Sequence, residues 1–177
     1  MQKKIYIDYF KTPFGDLIIG SYEEELCLCD WRYRKMRDSI DQKIQSALKA
    51  NYVEKKSSII EETKSQLNQY IDQNRSDFDI PLCFIGTNFQ KKVWNALLKI
   101  SYAKTMTYSA LAKQLGNIKA IRAVATANGA NPISIIVPCH RIIGSDGSMV
   151  GYAGGLDVKK RLLQLEGGLI NNQLTIF

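Results

Sequence analysis

The chain has 177 residues, 45% of them hydrophobic, enough to bury a real core in one mid-sized domain or two small ones. Its net charge of +7 is unevenly placed: residues 1–80 carry 13 Lys and Arg against 14 Asp and Glu, whereas residues 81–177 carry 11 against 3. A neutral first half and a basic second half point to a polyanion partner for the second; the absence of a long apolar run and the charged, alternating start at Met1–Asp8 exclude a membrane span and a signal peptide, so a cytoplasmic protein with reduced thiols is expected.

In chain order, Ile5–Phe10, Gly15–Ser21 and Leu26–Trp31 read as three short strands separated by turn signals at Pro13, Gly15 and Glu23–Glu25, an antiparallel meander. Met36, Ile40, Ile44, Ala47 and Leu48 recur at helical spacing, and Ile60, Leu67, Tyr70 and Ile71 do so again; polar Asn51–Ser58 between them reads as a loop. Four cysteines in a chain of this size do not form a disulfide framework. Cys27 and Cys29 sit two apart on a strand and share a face, but zinc takes four ligands and the only histidine lies elsewhere, so these are expected to be core thiols with no metal.

Asn74–Asp77 and Pro81 punctuate the switch between halves, which sets the expected organisation: a scaffold domain over 1–80, a second domain over 81–168, and a tail over 169–177. Asn88 is expected to cap a helix running to about Ile100, with Phe89, Val93, Trp94, Leu97 and Leu98 on one face. Tyr108–Leu115 closed by Gly116, a turn at Asn117–Lys119, and a helix from Ala120 to about Asn128 make a helix-turn-helix pattern. The second of these helices is rich in alanine, with Arg122 its only charge; small side chains permit the close backbone approach that a narrow minor groove requires.

The aliphatic run Ile135–Val137 reads as a strand ended by Pro138, with Cys139, His140 and Arg141 at its exit. His140 is the only histidine, so Cys139 alone among the cysteines has an imidazole beside it. A free thiol is mostly protonated at neutral pH, and a nearby base or cation raises its thiolate fraction. Neighbouring side chains diverge on an extended backbone, so His140 is expected to act on Cys139 through a water or a sharp local turn.

Pro138-Cys139-His140-Arg141, with Asn131-Pro132 before it and Gly151-Tyr152-Ala153-Gly154-Gly155 after it, resembles the O6-alkylguanine-DNA alkyltransferases. The likeness continues through Gly86–Gln90, Tyr108–Ala112 and Gly116–Val124, in the same order and spacing. It implies an α+β protein: an N-terminal ribonuclease-H-like antiparallel sheet with helices, then a mostly helical domain containing the helix-turn-helix. It also implies DNA repair by irreversible, single-turnover transfer of an alkyl group from guanine O6 to Cys139, with thymine O4 left open. The partner implied is double-stranded DNA carrying O6-alkylguanine; a monomer is the default expectation, and no cofactor is expected, since there is no nucleotide loop and the thiolate itself is the acceptor.

By the same resemblance, Cys139 is the acceptor, His140 and Glu166 complete a relay to it through water, and Asn131 holds the turn. Arg122 fills the space of an extruded base, Tyr108 contacts the lesion base, and Thr107, Ala120 and Ala123 meet the DNA. Val150, Tyr152, Ala153, Gly154 and Lys159 form the guanine pocket, and Arg141 braces it. Many relatives have serine at Ala153, proline at Ser101 and glycine at Ala103; the last two are expected to lie away from the thiol. Two other classes compete: a lesion-binding protein without an acceptor, which the presence of Cys139 opposes, and a cysteine hydrolase, which draws nucleophile and base from distant segments.

Overall fold

The computed structural model describes residues 3–167 of the chain; the expected tail at 169–177 lies outside the described residues. The chain divides into two compact units, Met1–Ile85 and Gly86–Phe177.

In the first unit, strands β1 (Lys3–Thr12), β2 (Gly15–Tyr22) and β3 (Glu25–Trp31) form the antiparallel meander that their turn signals predict. The first hairpin closes at Thr12 opposite Gly15, where the Thr12 hydroxyl donates to the Gly15 carbonyl (2.7 Å) and accepts from the Phe14 N–H (3.0 Å). Two helices follow, α1 (Arg37–Leu48) and α2 (Ser58–Ile71). Ile40 and Ile44 of α1 are buried with Ile5, Ile7, Ile18 and Leu28 in one cluster, while Met36 stays half exposed and outside the helix. Ser57 starts α2 by accepting from the Ile60 N–H (3.2 Å).

The sheet is mixed rather than purely antiparallel. Ala50–Glu54 forms β4, which pairs parallel with β1 from Lys3↔Ala50 to Ile7↔Glu54, where the sequence reads as a loop. Only Ala50 of this strand is fully buried, so it shows no apolar alternation; backbone pairing to an open sheet edge makes the strand. Pro81 and Cys83 hydrogen-bond to both sides of Leu26, adding a short parallel contact to β3.

In the second unit, α3 (Asn88–Leu97) is capped one residue earlier than expected, by Thr87 rather than Asn88: Thr87 accepts from the Gln90 N–H while the Gln90 side chain accepts from the Thr87 N–H. Val93, Trp94 and Leu97 are buried, whereas Phe89 and Leu98 remain exposed. Gly86 fits under this helix because a Cβ there would lie 2.5 Å from the Trp94 ring. The Trp94 indole N–H donates to the Ala127 carbonyl (2.9 Å), tying α3 to the helix that carries Arg122.

Strand β5 (Met106–Thr107) leads into α4 (Tyr108–Gln114), a 3-10 turn at Ile118–Ala120, and α5 (Ile121–Gly129). Val124, Ala127 and Asn128 face inward, and Ile121, Arg122 and Ala123 face out. Strand β6 (Ile142–Ile143) pairs parallel with β5, and α6 (Leu156–Leu165) closes the described unit.

Candidate active site

The run Ile135–Val137 is not a strand. It is a chain of turns in which the Val137 N–H bonds the Ile133 carbonyl (3.0 Å) and Ile136 the Ser134 carbonyl (2.9 Å). Ile135 sits at φ 69, a costly conformation for a β-branched residue that persists only where its surroundings enforce it. Asn131 supplies that enforcement: its side-chain amide donates to the Val137 (2.9 Å) and Ile133 (3.3 Å) carbonyls and accepts from the Ile133 N–H (2.9 Å). The aliphatics are buried because the turns thread the core, and the Asn131 amide serves backbone groups that a neighbouring strand would otherwise take.

Past Pro138, Cys139–Arg141 forms a 3-10 turn. Such a turn places Cys139 on the wall of a cavity of about 550 Å³ while His140 and Arg141 are buried behind it. His140 Nε2 lies 2.7 Å from Glu166 Oε1, and Arg141 donates through Nε to Oε2 (2.9 Å) and through Nη2 to Oε1 (3.0 Å). Arg141 also donates to the Ile100 carbonyl (2.5 Å). Glu166 is thus an acid at the C-terminus of α6, against the helix dipole, held by two side chains that outweigh it.

Burial opposes ionisation of Glu166, yet its hydrogen bonds and its attraction to His140 and Arg141 bring its pKa down to about 2. Arg141 is always charged, so the carboxylate is ionised whatever His140 does. Burial pushes the His140 pKa down, helped by the charges of Arg141 and Lys159 against the pull of Glu166, so the imidazole is neutral at pH 7. An ionised carboxylate only accepts, which puts the ring proton on Nε2 and leaves Nδ1 as a base. Nδ1 is buried with no hydrogen-bond partner among the described residues.

The cavity gathers residues from four segments: Tyr108 and Ser109 of α4, Ile121, Arg122, Ala125 and Asn128 of α5, Cys139, and the Gly144–Ala153 loop with Val150, Gly151 and Tyr152. Tyr108 donates to the Val150 carbonyl (3.1 Å); burial, then the proximity of Cys139, raises its pKa above the usual tyrosine value, so it stays a phenol. Of the sequence-predicted residues, Tyr108, Arg122, Cys139, Val150, Tyr152 and Ala153 meet here. His140, Glu166 and Asn131 lie buried behind Cys139. Lys159 is fully buried, its ammonium on the carbonyls of Ile142, Val150 and Gly151.

The remaining predicted residues lie outside the cavity lining. Ala123 is exposed and Ala120 half-buried on the Arg122 helix and its preceding turn; Gly154 follows the wall loop. Thr107 is the N-cap of α4, accepting from the Ala110 N–H (3.1 Å). The Ala103 loop lies outside the cavity lining but reaches Glu166: its N–H donates to Oε2 (3.4 Å) from a positive φ of 61. Sequence reasoning missed Asn128, which donates to the Cys139 carbonyl (3.4 Å) and lines the cavity. Its signal was an amide on the inward, otherwise apolar stripe of α5, beside Val124 and Ala127.

Comparison with known proteins fits both units. Residues 5–84 match the ribonuclease-like domain of 6-O-methylguanine DNA methyltransferase, and residues 88–168 match its DNA binding domain. The methylated-DNA–protein-cysteine methyltransferase of Methanosarcina acetivorans is 42% identical over 163 residues, 92% of this chain and 99% of that protein. The Mycobacterium tuberculosis protein of the same name is 49% identical over 112 residues, 63% of this chain and 68% of its own. The crystal structure of Mycobacterium tuberculosis OGT in complex with DNA superposes with a TM-score of 0.78 at 35% identity, covering 92% of each chain. With both units matched in order and a relative aligned over nearly its whole length, the chain belongs to the 6-O-methylguanine DNA methyltransferase family.

Proposed function

We propose that the protein repairs DNA by moving an alkyl group from guanine O6 irreversibly onto Cys139, one group per protein molecule. The observation that carries this reading is a thiol on the wall of a base-sized cavity, backed by a neutral histidine whose second nitrogen is fixed by a carboxylate. Relatives named methylated-DNA–protein-cysteine methyltransferase, and the DNA complex of the mycobacterial protein, support it.

His140 Nδ1 takes the Cys139 proton through a water, and the thiolate attacks the alkyl carbon. The S–C bond forms as the C–O bond breaks; the electron pair passes to guanine, which regains a proton from solvent. A thioether is a poor leaving group, so the acceptor is not regenerated.

An O6-alkyl group lies inside the stacked duplex, so the base must be extruded, at a cost of a few kcal/mol that a poorly paired lesion lowers. Arg122, on the exposed face of α5 at the cavity mouth, takes the place of the lost base. Ala120 and Ala123 let the backbone approach the minor groove, Thr107 and Tyr108 contact the strand, and Val150, Tyr152, Ala153 and Gly154 enclose the guanine. The protein acts as a monomer in the cytoplasm; no helix among the described residues is long and apolar enough to cross a membrane.

Intact-mass measurement after mixing with O6-methylguanine duplex tests this. A gain of one methylene mass, localised to the Cys139 peptide, is expected. An unchanged mass with free methanol released would instead indicate a hydrolase, and an unchanged mass with tight binding a lesion-binding protein.

A further inference from the structure

Among the described residues, Lys159 is the buried cation of the second unit to which the transfer step gives no part. It lies on α6 with no exposed surface, and among the described residues no carboxylate pairs with it. A buried ammonium needs its three donors satisfied. Lys159 places them on the backbone carbonyls of Ile142 (2.5 Å), Val150 (2.9 Å) and Gly151 (3.2 Å). Ile142 directly follows the Cys139–Arg141 turn, whereas Val150 and Gly151 form the cavity wall. The Val150 carbonyl also accepts from Tyr108, so one wall residue is clamped from two helices.

Carbonyls gripped by an ammonium behave differently from carbonyls gripped by an amine. A neutral amine has one donor fewer, makes weaker hydrogen bonds, and presents a lone pair to the third oxygen. We propose that Lys159 is a positioning residue whose positive charge holds the Val150–Gly151 wall in register with Cys139, so that alkyl transfer requires this lysine protonated. The inference rests on the alkyl-transfer reading of the cavity.

The window in which this is felt follows from the surroundings. Burial lowers the Lys159 pKa to about 8, against the opposing pull of Cys139. The other groups facing it are His140, neutral here, and Tyr108, which stays a phenol. Arg141 and Glu166 keep their charges throughout. Below about pH 8 the wall is held; above it the grip is lost.

The wild-type protein is the test material, with two reagents for Cys139 compared between pH 7 and 9. Free O6-methylguanine base needs the wall but no DNA; iodoacetamide needs only the thiolate. The ratio of the two rates at Cys139 should fall about tenfold across that range, following one titration near 8. The fall should vanish in Lys159→Met, which should be slow with the base at every pH and near normal with iodoacetamide. A constant ratio in the wild type overturns the proposal. A parallel fall of both rates also overturns it, placing the charge on the thiol rather than the wall. No transfer from the base at any pH, with iodoacetamide reacting normally, would sink the alkyl-transfer reading and the proposal with it.

Discussion

The two units bury cysteines to similar depth and with opposite consequences. Cys27 and Cys29 of the first unit have no exposed surface, and Cys139 of the second has 3%. For Cys27, burial and then nearby Cys83 push the thiol up to about 12; for Cys29, burial and the charge of Asp30 push it higher still. Cys139 is buried among different neighbours: the charge of Lys159, the neutral imidazole of His140, and an open cavity on one side. Depth makes a thiol inert; a base behind it and one open face beside it make a nucleophile.

The contrast can be broken most completely at the acceptor. Cys139→Ala should abolish transfer and retain binding to lesion DNA, because the proposed groove contacts lie on α5, away from the thiol. Transfer that persists and maps to Cys27, Cys29 or Cys83 would erase the distinction between the units.

Next in size is the base. His140→Ala should slow transfer by about 10²–10⁴-fold, the usual contribution of a positioned proton acceptor. Rapid-quench kinetics should show the slower rise with an unchanged end point.

Glu166→Ala sharpens the comparison from the stability side, since it leaves the Arg141 guanidinium buried without its carboxylate; a loss of about 3–5 kcal/mol is expected in urea unfolding. The pH dependence has the same root. The Glu166 carboxyl is held below its unfolded value of 4.5, so its stabilisation is fully present above about 4.5 and lost as pH falls toward 2. Glu166→Gln should flatten that acid limb.

Arg122→Ala should slow transfer from duplex DNA by about ten- to a hundredfold, part of the few kcal/mol of unstacking, and leave transfer from the free base unchanged. Equal slowing on both would put Arg122 in the pocket rather than the groove. The smallest effect belongs to Ala103→Gly, which relieves the positive φ beside Glu166 and should stabilise by about 0.5–1 kcal/mol in thermal unfolding.

What the sequence made legible follows local rules. The meander, α2, α3 and the helix-turn-helix announce themselves through periodicity, turn residues and caps. The misses are tertiary. β4 lacks apolar alternation because only Ala50 is buried, so pairing with β1 was invisible. Ile135–Val137 has a strand's composition, but the Asn131 amide turns it into a chain of turns. Lys159 looks like an ordinary helix cation until three carbonyls from distant residues converge on it, and Asn128 and Ala103 gain their importance only through contacts with Cys139 and Glu166.

The central claim is that Cys139 is consumed, and the direct test is a titration with O6-methylguanine duplex in excess. Product should rise to an amplitude equal to the active protein and stop, with the methyl group recovered as a thioether on Cys139. Linear turnover beyond one equivalent, with the thiol still free, would contradict it.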